Sequence, residues 1–146
     1  MVKPPLSPAD GPAEPGAAPR SLRIIVADDD RDSVLTLMMV LRHEGHEVRG
    51  VYKGGDVLKA LQEFEPDAAF VDVYMPDISG YEVARAIRST RAGEKMLLVA
   101  ISGVYRSGAH AVLGTRAGFD HYLTKPYQPS DVLRILAPLR LPKPGA

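Results

Sequence analysis

DAAFVDVYMPDISG, residues 67–80, contains an apolar run from Ala68 to Met75 that a carboxylate, Asp72, interrupts. The run has the length and composition of a buried strand, and Pro76, Asp77 and Gly80 read as the loop that leads from it into a helix. A buried, unpaired carboxylate costs several kcal/mol or takes up a proton, so Asp72 needs a reason to be there.

On either side of this stretch, short apolar runs alternate with amphipathic ones. LRIIVA (22–27), HEVRGV (46–51), DAAFVD (67–72), MLLVAI (96–101) and DHYL (120–123) have strand length. Helical spacing occupies 33–44, 56–64, 81–90, 108–117 and 129–139. Strict β/α alternation predicts a parallel sheet covered by helices on both faces. The near-continuous apolar runs at 22, 67 and 96 suit central strands, and the more polar 46–51 and the short 120–123 suit edges.

Composition bounds the function. The 146 residues suit one domain, with 45% hydrophobic residues to build its core. Lys plus Arg equals Asp plus Glu at 18 each, so no overall field recruits nucleic acid or an anionic membrane. With no cysteine there is no disulfide framework and no thiolate metal site. No apolar run approaches the roughly 20 residues that span a bilayer, and a soluble, cytoplasmic protein is expected. Residues 1–20, with six prolines, two glycines and four alanines, read as a disordered arm. The domain is expected over 21–140, followed by a flexible tail at 141–146.

In open α/β sheets, functional groups gather at the carboxyl ends of the strands. Here those ends deliver Asp28, Asp29 and Asp30, then Asp72, then Ser102 with Gly103, then Thr124, Lys125 and Pro126. Crowded carboxylates repel and either take up protons or bind a cation. An all-oxygen set suits Mg²⁺, with Mn²⁺ as an alternative. With Asp72 as nucleophile the product is an aspartyl phosphate, whose charge a cation, an ammonium and a hydroxyl can stabilise.

In that order, IIVADDD, FVDVYMPDISGYEV, VAISG and YLTKP resemble the receiver domains of bacterial two-component response regulators. The resemblance spans about Leu22 to Leu139. It implies a flavodoxin-like (βα)5 doubly wound sheet of strand order 2-1-3-4-5, and phosphotransfer from a histidine kinase or a histidine phosphotransfer protein. It makes Asp72 the phosphoacceptor, Asp29 a direct Mg²⁺ ligand and Asp28 an acid acting mainly through metal-bound water. Tyr74 would offer its backbone carbonyl to the metal. Ser102 and Lys125 would contact the phosphoryl oxygens, and Tyr122 would be the aromatic switch. It also implies a cis peptide before Pro126 that turns Lys125 inward. Ser at 102 where Thr is commoner, and Ala27 where a larger apolar residue is frequent, are mild departures.

Such a protein catalyses only its own phosphorylation and dephosphorylation and works by switching its surface for a downstream protein. Nucleic acid and membrane are not expected partners, and a homodimer is compatible with the reading. The chain is expected to act as a stand-alone receiver or as a piece related to those of hybrid kinases, which AGFDHYLTKP (117–126) also resembles.

Plainer roles compete at each position. Capping alone would account for one of the three acids at 28–30, and Asp30 is expected to cap the first helix. Ser102-Gly103 and Lys125-Pro126 could each be ordinary turns if taken singly. His43 and His46 read as a solvated turn around Gly45, and Lys53-Gly54-Gly55, with no GK[ST], as a loop into the second helix. A small Mg²⁺-dependent phosphatase of haloacid dehalogenase type is the main alternative, since Asp28-Asp29-Asp30 mimics its Asp-x-Asp pair, although Asp32 stands where it has Thr or Val. A non-phosphorylated interaction module is the other. The first helix has more apolar residues than one stripe needs: with Leu37, Val40 and Leu41 in the core, Leu35, Met38 and Met39 are left as an exposed patch for a kinase. Tyr74 and Val104 are expected to crowd the path of a hydrolytic water and slow loss of the phosphoryl group.

Overall fold

The computed structural model describes residues 19–103 and 117–141. Five parallel strands form one sheet in the order β2-β1-β3-β4-β5. They are β1 (Arg23–Ala27), β2 (Glu47–Val51), β3 (Ala68–Asp72), β4 (Leu97–Ser102) and β5 (His121–Thr124). The described helices are α1 (Arg31–His43), α2 (Gly55–Phe64), α3 (Gly80–Arg88) and α4 (Pro129–Leu136), the last running on into a 3-10 turn at Ala137–Arg140. The expected helix at 108–117 apart from Ala117, residues 1–18 of the arm expected over 1–20, and residues 142–146 of the expected tail lie outside the described residues, while Arg20, at the end of that arm, donates hydrogen bonds to the Leu139 and Arg140 carbonyls.

The three central strands are covered on both faces, which is why they read as continuous apolar runs. Along β1, Ile24 and Val26 face one core layer with Val34, Leu37 and Leu41 of α1 and Val132 and Leu136 of α4. Ile25 and Ala27 face the other layer, with Val57 and Leu61 of α2 and Val83 and Ile87 of α3. β3 repeats the alternation, with Ala68 and Phe70 on the first side and Ala69 and Val71 on the second. All five of its residues are buried, and the fifth is Asp72.

The α1 stripe differs from the expected one. Val34, Leu37, Met38 and Leu41 are the buried set, at i, i+3, i+4 and i+7, while Val40 is half-buried. Met38 therefore belongs to the core and not to the exposed patch. β2 makes room for it with Gly50, where a Cβ would lie 3.0 Å from the Met38 sulfur. Leu35 and Met39 are exposed as expected, at 53% and 71%.

His46 also departs from expectation. α1 ends at His43, and Gly45 turns the chain with φ +93°, but His46 is buried rather than solvated. Its Nδ1 accepts a hydrogen bond from the Leu22 N–H at 3.0 Å. Burial pushes its pKa down, and the nearby Arg140 charge adds to the effect.

Candidate functional site

The carboxyl edge of the sheet brings the sequence-singled residues together. Asp28 follows β1 and is 4% exposed; Asp72 ends β3 at 7%; Ser102 ends β4, fully buried. Asp29 is exposed beside them. Carboxylate oxygens of Asp28, Asp29 and Asp72 all lie within 4.8 Å of one another.

Local backbone sets the aim of each. The Asp28 N–H is tied to the Val51 carbonyl at 3.0 Å, and its Oδ1 accepts the Asp30 N–H at 3.0 Å. Asp30 turns away to cap α1, accepting from the Asp32 N–H at 3.2 Å and from the Ser33 hydroxyl at 2.8 Å. Asp30 thus acts as the expected cap, and Asp28 and Asp29 remain for the site. The Oδ1 of Asp72 accepts the N–H of Tyr74 at 2.9 Å. Behind it, Gly80 brings α3 so close that an added Cβ would stand 2.6 Å from the Asp72 carbonyl oxygen.

Lys125 enters from the far side. The Lys125–Pro126 peptide is cis, as expected, and the Lys125 N–H donates to the Ser102 carbonyl at 2.7 Å. Its Nζ lies 2.7 Å from Asp28 Oδ2 and 3.6 Å from Asp72 Oδ2. One ammonium among three carboxylates leaves an excess of negative charge. Burial, then the hydrogen bond and charge of Asp28, push the Asp72 carboxyl up to about 6, against the pull of the Tyr74 N–H and of Lys125. Burial works against the Lys125 charge, but the contacts with Asp28 and Asp72 outweigh it and raise its pKa.

The donor chemistry fits a hard divalent cation. Three clustered acids, two of them buried and only partly neutralised, form an oxygen-only set of few ligands, which is the pattern of Mg²⁺. Tyr74, whose carbonyl was expected to complete it, follows in the loop after Asp72 with its side chain 47% exposed. Val104, its expected companion, lies outside the described residues. Tyr122 is half-buried on β5, and its hydroxyl shares a hydrogen bond of 3.1 Å with that of Tyr81 at the start of α3.

Three contributors escaped sequence reasoning. Tyr81 carries no motif that would mark it as a partner of Tyr122. Asp77 reads as loop, yet its carboxylate receives the N–H groups of Gly54 and Gly55, both at 2.9 Å. A cleft of about 540 Å³ opens between α1 and the segment from Lys125 to Pro129, and Thr36, Val40, Lys125 and Tyr127 are among its walls. Burial raises the pKa of the Tyr127 hydroxyl there.

Residues 24–137 match the family described as response regulator receiver domain. The chain belongs to that family. Among curated relatives, it is 34% identical over 119 residues to the DNA-binding response regulator MtrA of Mycolicibacterium paratuberculosis, across 81% of this chain and 51% of that protein. Among solved structures, the CheY-like receiver domain protein of Methanospirillum hungatei aligns with TM-score 0.71 and 30% identity, covering 79% of this chain and 90% of that one. The receiver domain of the sensor histidine kinase PA1611 from Pseudomonas aeruginosa aligns with TM-score 0.72 and 25% identity, covering 80% and 95%. That structure has a magnesium ion coordinated in its active-site cleft.

The receiver reading and its sheet order are therefore right, and neither alternative gains support. The phosphatase reading also fails locally, because Asp30, half of its acid pair, is exposed and engaged in capping α1. The charge argument against nucleic acid does not carry to relatives such as MtrA, whose name states DNA binding; this receiver spans about half the length of the curated relatives it matches. Among the described residues, no helix is long and apolar enough to cross a membrane.

Proposed function

We propose that this receiver accepts a phosphoryl group on Asp72 from the phosphohistidine of a histidine kinase or a histidine phosphotransfer protein. A carboxylate oxygen of Asp72 forms the new O–P bond as the P–N bond breaks, and the imidazole leaves with that electron pair. The single observation that carries the reading is a buried acid ending the central strand, within 4.8 Å of two further acids and 3.6 Å from a lysine ammonium.

Asp28, Asp29, Asp72 and the Tyr74 carbonyl would hold Mg²⁺, which when bound neutralises charge on the phosphoryl oxygens. Lys125 shifts from the carboxylates to a phosphoryl oxygen, and the Ser102 hydroxyl donates to another. Drawing Ser102 toward the phosphoryl group vacates space into which Tyr122 turns, changing the β5 surface that a downstream protein reads. Leu35 and Met39 on α1, next to the cleft, form the apolar patch that meets the kinase.

Asp72→Ala should reduce labelling by acetyl phosphate and by a phosphorylated kinase by on the order of a thousandfold, with labelling of the unaltered protein dependent on a divalent cation. Undiminished phosphate on another residue of the variant would overturn the assignment. Leu35→Gln with Met39→Gln should slow transfer from the kinase and leave acetyl phosphate labelling intact.

A further inference from the structure

The loop from β3 to α3 is anchored near both ends by backbone. The Tyr74 N–H holds the Asp72 carboxylate, and the Gly80 N–H donates to the Val73 carbonyl at 2.7 Å. Its middle, Pro76 and Asp77, is exposed. On either side of Asp77, Met75 and Ile78 pack into the core, and between them the polar tether is Asp77 itself: its Oδ1 accepts from the Gly54 N–H and its Oδ2 from the Gly55 N–H, each at 2.9 Å.

Those two N–H groups open α2, whose N-cap position is Gly54 and so has no side chain with which to cap itself. The missing cap comes from another loop. The pairing is bidentate, it sits at the positive end of the helix, and the two N–H groups hold the Asp77 carboxyl below its usual range. Glycine is needed for the approach, since Ile78 Cγ2 occupies the space that a Cβ at Gly54 would take.

We propose that Asp77 is a positioning residue for the cation site: by capping α2 from outside, it fixes the 73–79 loop so that the Tyr74 carbonyl is presented to Asp28, Asp29 and Asp72. The inference rests on the proposed Mg²⁺ site. A backbone carbonyl has no rotamer with which to seek a metal, so its placement is that of its loop. α2 packs into the core through Val57 and Leu61 and is a rigid reference for that loop.

The test uses the full chain. Magnesium chloride is titrated into the unaltered protein, Asp77→Asn and Asp77→Ala while backbone amide resonances are followed, and thermal unfolding is recorded without metal. Asp77→Ala should weaken Mg²⁺ about tenfold, the lower end of what loss of a supporting contact does to a metal site. Asp77→Asn, which keeps one acceptor oxygen, should weaken it less. In both, the Gly54 and Gly55 amides should shift and exchange faster even before metal is added. Unchanged Mg²⁺ affinity with a lowered melting temperature would make Asp77 a helix cap and nothing more, overturning the proposal. Failure of the site reading looks different: the unaltered protein would bind no Mg²⁺, or Asp72→Ala would bind it equally well.

Discussion

At the amino end of the sheet the guanidinium of Arg88 donates to the carbonyls of Gly93, Glu94, Met96 and Gly118 and to the carboxylate of Asp120. At the carboxyl end the ammonium of Lys125 faces Asp28 and Asp72 and cannot neutralise both. One end matches donors to acceptors across the chain; the other leaves acid in excess. The same contrast recurs at the termini of the domain. The Arg20 N–H donates to the Arg140 carbonyl, Arg20 Nη1 to the Leu139 carbonyl and Arg140 Nε to the Arg20 carbonyl, so the two ends are clasped by completed bonds. Strands tied down at one end can carry poorly compensated charge at the other, where a cation and a phosphoryl group are to be recruited.

Breaking the matched end should give the largest change. Arg88→Ala removes a fork that joins the end of α3 to the starts of β4 and β5, and should lower stability by about 3 kcal/mol. Arg88→Lys should recover less than half of that, since one ammonium cannot span both sets of carbonyls. Urea unfolding measures the loss. Mg²⁺ affinity, measured well below the unfolding transition, should stay within about twofold. A parallel collapse of Mg²⁺ binding would mean that the two ends are not independent.

The contrast was only partly visible in the sequence. The carboxyl edge was legible because its groups follow strand ends, and the three central strands announced themselves by runs apolar on both faces. The amino edge was not: Arg88 and Gly118 are thirty positions apart, and a guanidinium bonded to carbonyls leaves no residue-type signal. Met38 was misplaced for a related reason. In a helix as apolar as α1 the buried stripe depends on the opposing strand, here on the missing side chain of Gly50. His46 was read from its turn-like neighbours, yet it begins the approach to β2 and its Nδ1 serves a β1 backbone donor. Asp77 gave half a signal, since a helix opening on two glycines lacks its own cap, but which loop supplies one is set by tertiary approach.

A smaller effect tests the excess acid. Asp72 titrates at about 6 in the folded, metal-free protein and near 3.9 when unfolded. Between those values the folded state binds more protons, so this group's contribution to stability falls as pH rises from about 4 to 7. The loss should be about 1–2 kcal/mol, less than the roughly 3 that two pH units represent, because solvent screens part of it. His46 acts in the opposite sense: its lowered pKa costs stability as pH drops below about 6.5. The difference between the unaltered protein and Asp72→Asn cancels His46 and should leave the Asp72 slope alone, with the variant more stable at pH 7.5 and equal near pH 4. Saturating Mg²⁺ should reverse the slope in the unaltered protein, since binding requires the ionised acids. A flat difference profile would mean that the acids are already neutralised within the protein.

The smallest effect sits between the two ends, at the Tyr81–Tyr122 hydrogen bond. Tyr81 is held edge-on to Phe119, with ring centroids 6.3 Å apart at 71°, so its hydroxyl is a fixed partner for a ring expected to move. Tyr81→Phe keeps that ring contact and deletes the shared bond, worth about 0.5–1 kcal/mol. If Tyr122 turns when the site is filled, this bond holds it in its unfilled position, and its loss should favour the switched state by roughly two- to fivefold. Titrating the Mg²⁺-loaded protein with beryllofluoride, and following the Tyr122 ring resonances, reads this as a midpoint lowered by the same factor. A midpoint that stays put while the ring still moves would show that Tyr81 rests against the switch without restraining it.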